Sequence, residues 1–318
     1  MASVNINIKS YGGEIDKFVS RRYQVLARLN TGGTAEIYLA MDTSDGAKVV
    51  IKILPSHHSN NRKKEADRRG ATLDISHRVI EKSDEFLVQE ANFLMNCRHP
   101  NIIKLLDHDL NAGRPYIVLN YLGKTTLENE IINSTLNFPI KKTLGILKHL
   151  SAALGYVHQK GFVYCDIKPS NIISRYQKYT LIDFGLVRPK GMEVSGGTIG
   201  YMPPEVLQSE NGHVPANPNM DIYSLGILLY ELLTGFHPFA SKKIYHLNRH
   251  YSFDTQSITN KSVIPSSASS LNPLLPAVFD KLLLKCVDKN PGNRYQDMES
   301  LYLDFKAAAE RAISTRKN

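Results

Sequence analysis

Two kinds of hydrophobic pattern follow each other along this chain of 318 residues. Short β-branched runs separated by turns, such as EIYLAMD and KVVIKIL, fill most of the part before residue 122 and predict strands. One helical pattern, EFLVQEANFLMNC, lies among them. Helical patterns then dominate, and DIYSLGILLYELLTG, which is apolar nearly all round, predicts a buried central helix. Strands first and helices later favour an α+β fold in two lobes.

The net charge and the cysteine count indicate the class of binding partner and the cellular location, but no particular partner. Lys and Arg number 39 against 30 Asp and Glu, a formal net charge of +9 that suits anionic partners such as nucleotides, acidic proteins, membranes or nucleic acid. Three cysteines cannot form a closed disulfide framework. Without an apolar secretory core or a membrane-spanning run, we expect a cytoplasmic protein; secretion as an effector by a non-classical route is the alternative.

Three features near the N-terminus suit a phosphate site when they are taken together. LNTGGTAEIYLA places Gly32 and Gly33 in a turn between strands, where backbone N–H groups can approach phosphate oxygens; a plain tight turn is the other interpretation. Lys52 follows on the next strand among apolar residues, although a lone strand lysine usually points outward. Glu90 lies in the predicted helix, and apolar neighbours make Lys52 its natural partner; by itself it would be an exposed helix charge.

The strongest signal is YCDIKPSNIISRYQKYTLIDFG, from Tyr164 to Gly185. Asp166 can accept a proton from a hydroxyl nucleophile, and Lys168 can neutralise phosphate charge. Asn171 and Asp183 supply the hard oxygen ligands that Mg²⁺ prefers. No CxxC or Cys/His cluster offers a competing metal site.

In the order of these motifs the chain resembles the protein kinases, and in particular the bacterial eukaryotic-like Ser/Thr kinases. GTIGYMPPE, DIYSLG and PGNRY complete the series, so the resemblance covers nearly the whole chain. It implies a bilobal α+β fold with a small, mostly β N-lobe, a larger, mostly α C-lobe and the ATP site between them. The implied divisions are listed in chain order: an N-terminal extension 1–20, the N-lobe 21–119 with a polar insertion 56–85, a hinge 120–124 and the C-lobe 125–318.

The resemblance also implies a role for individual residues, with ATP and Mg²⁺ as cofactors and Mn²⁺ as a possible substitute. The catalytic residues it implies are Lys52, Glu90, Asp166 and Lys168. The implied nucleotide contacts are Gly32, Gly33, Thr34, Ile37, Val50, Lys52, the gatekeeper Leu119, and the backbone of Asn120 and Leu122. The implied metal ligands are Asn171 and Asp183.

Further positions would organise the site rather than touch the reacting atoms. The resemblance places Ser195, Thr198 and Glu205 in the activation segment, with Glu205 paired to Arg294. Asp221 would anchor the catalytic loop from the central helix. Tyr164 would pack under Phe184 of the DFG sequence.

Three departures from the family pattern affect the expected activity. Asn30 and Ala35 replace two glycines of the phosphate loop. Cys165 replaces the Arg that precedes the catalytic Asp and normally binds a phosphorylated activation loop, which a thiol cannot do. Ser195 is the one hydroxyl residue between Asp183 and Thr198. We therefore expect activity that does not require activation-loop phosphorylation.

The leading interpretation is a kinase that phosphorylates Ser or Thr of protein substrates. A pseudokinase scaffold is the chief alternative, and a small-molecule phosphotransferase ranks third. The polar segment 56–85 is either a solvated insertion or a regulatory element. A basic cluster is either a solvated helix face or a docking site; it consists of Lys242, Lys243, His246, Arg249 and His250. The sequence contains no nucleic-acid-binding module, so we do not expect a nucleic-acid partner. No motif in the sequence indicates an oligomeric state.

Overall fold

The structure, a computed structural model, describes residues 19, 21–31, 35–55, 83–134, 137–194, 196–209, 214–239, 255–260 and 262–315. Several predicted features lie outside these residues: nearly all of the extension 1–20, most of the insertion 56–85, the basic cluster 242–250, and Gly32, Gly33, Thr34 and Ser195. The chain divides into two compact units. The N-terminal unit comprises residues 1–98 and 103–122, and the C-terminal unit comprises residues 99–102 and 123–318.

The described part of the N-terminal unit is built on one antiparallel sheet with the strand order β1-β2-β3-β5-β4. Its strands are β1 (Tyr23–Thr31), β2 (Glu36–Asp42), β3 (Lys48–Ile53), β4 (Leu105–Asp109) and β5 (Tyr116–Asn120). Helix α1 (Ser83–Met95) lies between β3 and β4 in the sequence. It begins at Ser83, so the last three residues of the predicted insertion are helical.

Alternation along the strands separates the two faces of this sheet. Val49, Ile51 and Ile53 of β3 join a buried cluster with residues of β2 and β5. Because side chains alternate along a strand, Val50 and Lys52 belong to the opposite face. The register places Ile37 beside Lys52 and Leu119 beside Val50. The predicted nucleotide contacts of the sheet therefore share one face.

The C-terminal unit is largely helical, with short strands where the functional loops leave the core. Its helices are α2 (Leu127–Ile132), α3 (Ile140–Gln159), α4 (Pro204–Leu207), α5 (Pro218–Thr234), α6 (Thr255–Thr259), α7 (Ala268–Leu271), α8 (Val278–Cys286) and α9 (Met298–Thr315). Its strands pair as β6 (Phe162–Val163) with β9 (Arg188–Pro189) and as β7 (Ile172–Arg175) with β8 (Lys178–Leu181). Single 3₁₀ turns are Pro169–Asn171, Ile199–Tyr201 and Pro291–Asn293.

Helix α5 is the centre of this unit, in agreement with its uniformly apolar sequence. The Asn217 side chain caps its first turn, and Gly235 ends it in the left-handed conformation at φ 78°. Every residue from Asn219 to Thr234 is buried. A Cβ at Gly226 would overlap Cys286 of α8, so this position lets the two helices approach closely.

The polar segment from Ser252 to Pro273 reads as a loop in the sequence, and this prediction was wrong in part. The structure forms α6 and α7 within it. Lys289 Nζ donates to the carbonyls of Ser257 and Ile258, and Gln208 Nε2 donates to that of Thr259. These side chains donate to the carbonyl groups at the end of α6, which have no partner within the helix. The local composition of the sequence does not reveal this contribution.

Among the described residues, no helix is both long and apolar enough to cross a membrane. Cys97, Cys165 and Cys286 form no disulfide bond with one another.

Candidate active site

The N-terminal unit brings Lys52 and Glu90 into direct contact. Lys52 lies on β3 and Glu90 on α1, and the lysine Nζ is 2.5 Å from the glutamate Oε2. The Glu90 side chain is fully buried and that of Lys52 nearly so. A buried charge requires a partner of opposite sign, which explains why a polar pair is stable among apolar neighbours. The ammonium is thus held at a defined position on the face that also carries Ile37, Val50 and Leu119.

The predicted adenine contacts lie at the end of β5. Leu119 is buried, whereas Asn120 and Leu122 are half-buried. The Asn120 N–H donates to the Lys104 carbonyl at 3.1 Å, and the Asn120 side chain accepts the Lys104 N–H at 2.7 Å. The backbone N–H and the side chain of Asn120 are therefore both engaged with Lys104.

Asp166 is the centre of a hydrogen-bonded cluster in the C-terminal unit. Its Oδ2 lies 2.8 Å from both Lys168 Nζ and Asn171 Nδ2. Its Oδ1 accepts the Thr198 hydroxyl at 2.9 Å, and Lys168 Nζ donates to the same hydroxyl at 3.0 Å. A carboxylate has about four acceptor positions, so these three donors leave room for one more hydrogen bond, such as that of a substrate hydroxyl.

Asp221 holds the backbone that carries Asp166. Buried in α5, it accepts the N–H of Tyr164 at 2.8 Å and that of Cys165 at 2.9 Å, and His158 Nε2 lies 2.8 Å from its Oδ2. Cys165 adopts a left-handed conformation at φ 66°, which is unfavourable for a residue with a Cβ. The contacts to Asp221 stabilise this conformation, and Asp166 follows directly.

The predicted metal ligands are joined through the backbone. The N–H of Ile182, the residue before Asp183, donates to the Asn171 carbonyl at 3.0 Å. The Asn171 amide donates to the carbonyl and carboxylate of Asp166, which leaves its Oδ1 as the acceptor available to a cation. One carboxylate and one amide oxygen fit Mg²⁺, which keeps several waters and shares phosphate oxygens. The described residues contain no cluster of three or more His, Cys, Asp or Glu that fits a metal ion.

Tyr164 and Phe184 pack edge to face, with ring centroids 4.9 Å apart. Both rings are fully buried. The Tyr164 hydroxyl also donates to the Ile182 carbonyl at 2.5 Å. The ring therefore supports Phe184, and the hydroxyl holds Ile182 in place. Asp183, the next residue, has a left-handed backbone at φ 61°.

Glu205 and Arg294 form a bidentate pair, with N–O distances of 2.8 and 2.7 Å. Arg294 is buried, and its guanidinium lies 4.8 Å from the centroid of the Tyr223 ring. The pair joins α4 to the segment before α9, and α4 follows the predicted activation segment.

Cys165 lies beside an apolar cluster, and Asp166, Asp221 and Arg188 are near enough to affect its pKa. Cys165 packs, with Met202, against a buried cluster that includes Val163, Val194 and Val206. Burial raises the pKa of the Cys165 thiol well above its usual range, so the thiol is protonated. In addition, residues 191–194 pair with residues 214–216 through backbone hydrogen bonds of 2.7–2.9 Å.

A contact between Tyr201 and Glu231 was not predicted from the sequence. The Tyr201 hydroxyl donates to the Glu231 carboxylate at 2.6 Å, and burial raises the pKa of Glu231 to about 8 although this hydrogen bond opposes the shift. The available signal was a carboxylate within the longest apolar stretch of α5, because such a group needs a buried partner.

Comparison with known proteins identifies the family of this chain. Residues 23–305 match the family model for the protein kinase domain. The chain belongs to the protein kinase family. The predicted family resemblance and α+β kinase fold are thereby confirmed.

Three curated bacterial relatives illustrate the similarity. The serine/threonine-protein kinase PrkC of Bacillus subtilis is 31% identical over 304 residues, which cover 92% of this chain and 41% of the relative. The probable serine/threonine-protein kinase PknB of Lactococcus lactis is 27% identical, covering 92% and 42%. The serine/threonine-protein kinase PknL of Mycobacterium tuberculosis is 26% identical, covering 91% and 66%. The aligned region thus spans about two fifths of the length of the first two relatives.

Proposed function

We propose that this kinase domain transfers the γ-phosphoryl group of ATP to Ser or Thr residues of protein substrates. The observation that carries the proposal is the cluster around Asp166, where Lys168, Asn171 and Thr198 all contact one buried carboxylate. Phosphoryl transfer depends mainly on positioning and on neutralising charge, and this cluster provides both. The names of the bacterial relatives agree with this activity.

In the proposed mechanism, Asp166 accepts a hydrogen bond from the substrate hydroxyl and orients it for attack. Lys168 offsets negative charge beside the same carboxylate. Lys52, oriented by Glu90, contacts the α- and β-phosphates. Asn171 and Asp183 would hold Mg²⁺, or Mn²⁺ in its place, and the metal when bound neutralises charge on the phosphates.

The substrate class and the setting are parts of the same proposal. The contacts of Lys168 and Thr198 with Asp166 and with each other suit the Ser/Thr rather than the tyrosine kinases, whose corresponding loop usually lacks this lysine. Free thiols at Cys97, Cys165 and Cys286 suit a cytoplasmic location. The division of the chain into an N-terminal extension, an N-lobe, a hinge and a C-lobe, with the bounds predicted from the sequence, is part of the proposal.

We also propose that transfer does not require phosphorylation of the activation segment. A phosphate at this position needs a cationic partner, and Cys165 supplies a neutral thiol instead. Apolar packing of Val194 and Met202 near this thiol, together with the pairing of residues 191–194 with 214–216, provides an uncharged means of ordering the segment. The Ser195→Ala variant is therefore expected to retain wild-type kcat, and an inactive variant would contradict this part of the proposal.

The alternative of a non-catalytic scaffold is disfavoured because all the predicted catalytic and metal-binding side chains are present and Asp166 keeps an acceptor position. The first experiment measures Mg²⁺-dependent transfer from labelled ATP to a generic basic protein and to the kinase itself. Wild type is compared with Asp166→Ala and Lys52→Met, with Asp280→Asn as a carboxylate control bonded to Ser269 instead. We expect labelled Ser or Thr with wild type and the control, and none with the other two. ATP binding without any transfer would favour the scaffold.

A further inference from the structure

The turn Ile199–Tyr201 follows directly after Thr198, the residue whose hydroxyl contacts Asp166 and Lys168. Its backbone closes back on the Thr198 carbonyl, which accepts the N–H groups of Tyr201 at 2.8 Å and Met202 at 3.0 Å. The position of this turn therefore determines where Thr198 lies.

Two glycines with unusual backbone conformations lie on the other side of Thr198. Gly196 and Gly197 precede it with φ values of 123° and 150°, a region that residues with a Cβ rarely adopt. Two such glycines give the backbone wide conformational freedom. Thr198 therefore depends on contacts that hold the turn after it.

Three side chains from α5 and the segment after it hold this turn. The Ser224 hydroxyl donates to the Tyr201 carbonyl at 2.7 Å, and the Glu231 carboxylate accepts the Tyr201 hydroxyl at 2.6 Å. His237 Nε2 lies 2.7 Å from the Gly200 carbonyl. Gly200 has no side chain that could hold it in place. The hydrogen bond to its carbonyl therefore fixes the position of this residue.

The contacts of His237 define which ring nitrogen carries the proton. The Phe239 N–H donates to Nδ1 at 3.2 Å, so Nδ1 is an acceptor. Burial lowers the pKa of His237 to about 4, and the ring is therefore neutral, with one N–H. That N–H is on Nε2 and points at the Gly200 carbonyl.

We propose that His237 is a positioning residue for phosphoryl transfer: by donating to the Gly200 carbonyl it keeps the Thr198 hydroxyl on Asp166 and Lys168. The kinetic test of this inference rests on the proposed kinase activity. The contact between His237 and the turn can also be tested by a measurement that needs no activity. His237 lies 37 residues from Gly200 in the sequence, and it contacts the turn rather than the reacting groups.

Two substitutions separate the two ring nitrogens. His237→Gln places an amide N–H near the position of Nε2, whereas His237→Asn is too short to reach Gly200 but keeps an acceptor near Nδ1. We expect the Asn variant to lower kcat about tenfold, the usual effect of one lost hydrogen bond to a buried carbonyl, with the KM for ATP unchanged. The Gln variant is expected to stay within about threefold of wild type. His149→Asn, at a half-buried histidine on α3, is the control and should leave kcat unchanged.

A double-mutant cycle tests whether His237 acts through Thr198. In a Thr198→Ala background the His237→Asn substitution should cause little further loss of kcat, because the contact that it disturbs is already absent. Independent, multiplicative losses would overturn the proposal, and so would equal kcat values for the Asn and Gln variants.

Hydrogen exchange provides the readout that does not require catalysis. The amides of Tyr201 and Met202 should exchange about tenfold faster in His237→Asn than in wild type, with wild-type protection in His237→Gln and His149→Asn. Unchanged exchange in His237→Asn would overturn the positioning role. If wild type transfers no phosphate, the proposed activity fails, and the exchange measurement alone decides the role of His237.

Discussion

The two units stabilise their buried ionisable side chains in different ways. In the N-terminal unit, the opposite charges of Lys52 and Glu90 meet directly. In the C-terminal unit, Asp221 accepts backbone N–H groups and Glu231 accepts a tyrosine hydroxyl, so these carboxylates organise the chain around them. Asp166 combines both arrangements, because it contacts a lysine as well as the neutral donors of Asn171 and Thr198. The first unit positions one ammonium group, whereas the second positions a loop.

Removing the charge of Asp166 tests the catalytic side of this contrast and has the largest expected effect. Asp166→Asn keeps the shape of the side chain but removes its capacity to accept a proton. We expect kcat to fall by about 10²- to 10⁴-fold, with the free energy of unfolding changed by less than about 1 kcal/mol. Steady-state kinetics and denaturant unfolding measure the two quantities. A kcat within tenfold of wild type would refute the assigned role.

Breaking the Lys52–Glu90 pair tests whether the N-terminal unit depends on charge neutralisation. Lys52→Met leaves a fully buried carboxylate without its ammonium, and we expect the free energy of unfolding to fall by about 3–5 kcal/mol. Adding Glu90→Leu should restore most of that loss, because two apolar side chains can replace a buried pair. Phosphoryl transfer should stay absent in both variants. A double variant no more stable than the single one would show that neutralisation is not the reason for the pair.

The pH dependence of stability tests the carboxylate in α5. The Glu231 pKa is 4.5 for an unperturbed group and is raised to about 8 in the folded protein. Its stabilising contribution is therefore fully present below the unfolded value and is lost as pH rises through about 8. Relative to Glu231→Gln, wild type should lose stability between these values, by at most about 1.4 kcal/mol per pH unit. Unfolding curves across this range measure the difference, and parallel pH profiles would contradict it.

A single hydroxyl distinguishes the two functions of Tyr164. Tyr164→Phe keeps the packing against Phe184 but leaves the Ile182 carbonyl without this donor. We expect a loss of about 0.5–1.5 kcal/mol in the free energy of unfolding. Tyr176→Phe, at an exposed position, is the control and should change nothing measurable. A stability equal to wild type would show that the ring alone accounts for the role of Tyr164.

Local patterns in the sequence anticipated much of the fold and much of the candidate site. The β-branched run KVVIKIL predicts β3, the strand that carries Lys52. The apolar neighbours of Glu90 predict a buried carboxylate that needs a cation. These predictions succeed because periodicity and the chemistry of side chains act over a few residues. For the same reason the polar composition around α6 was misleading, since Lys289 and Gln208 satisfy the end of that helix from elsewhere in the chain.

The sequence by itself therefore determined the order of strands and helices, the family, and the side chains proposed to act in phosphoryl transfer. The tertiary structure decided which groups meet across long separations: Tyr201 with Glu231, 30 residues apart, and Gly200 with His237, 37 apart. No periodicity encodes such contacts, because they depend on how α5 and the segment after it pack against the activation segment. The placement of Thr198 on Asp166 follows from that packing.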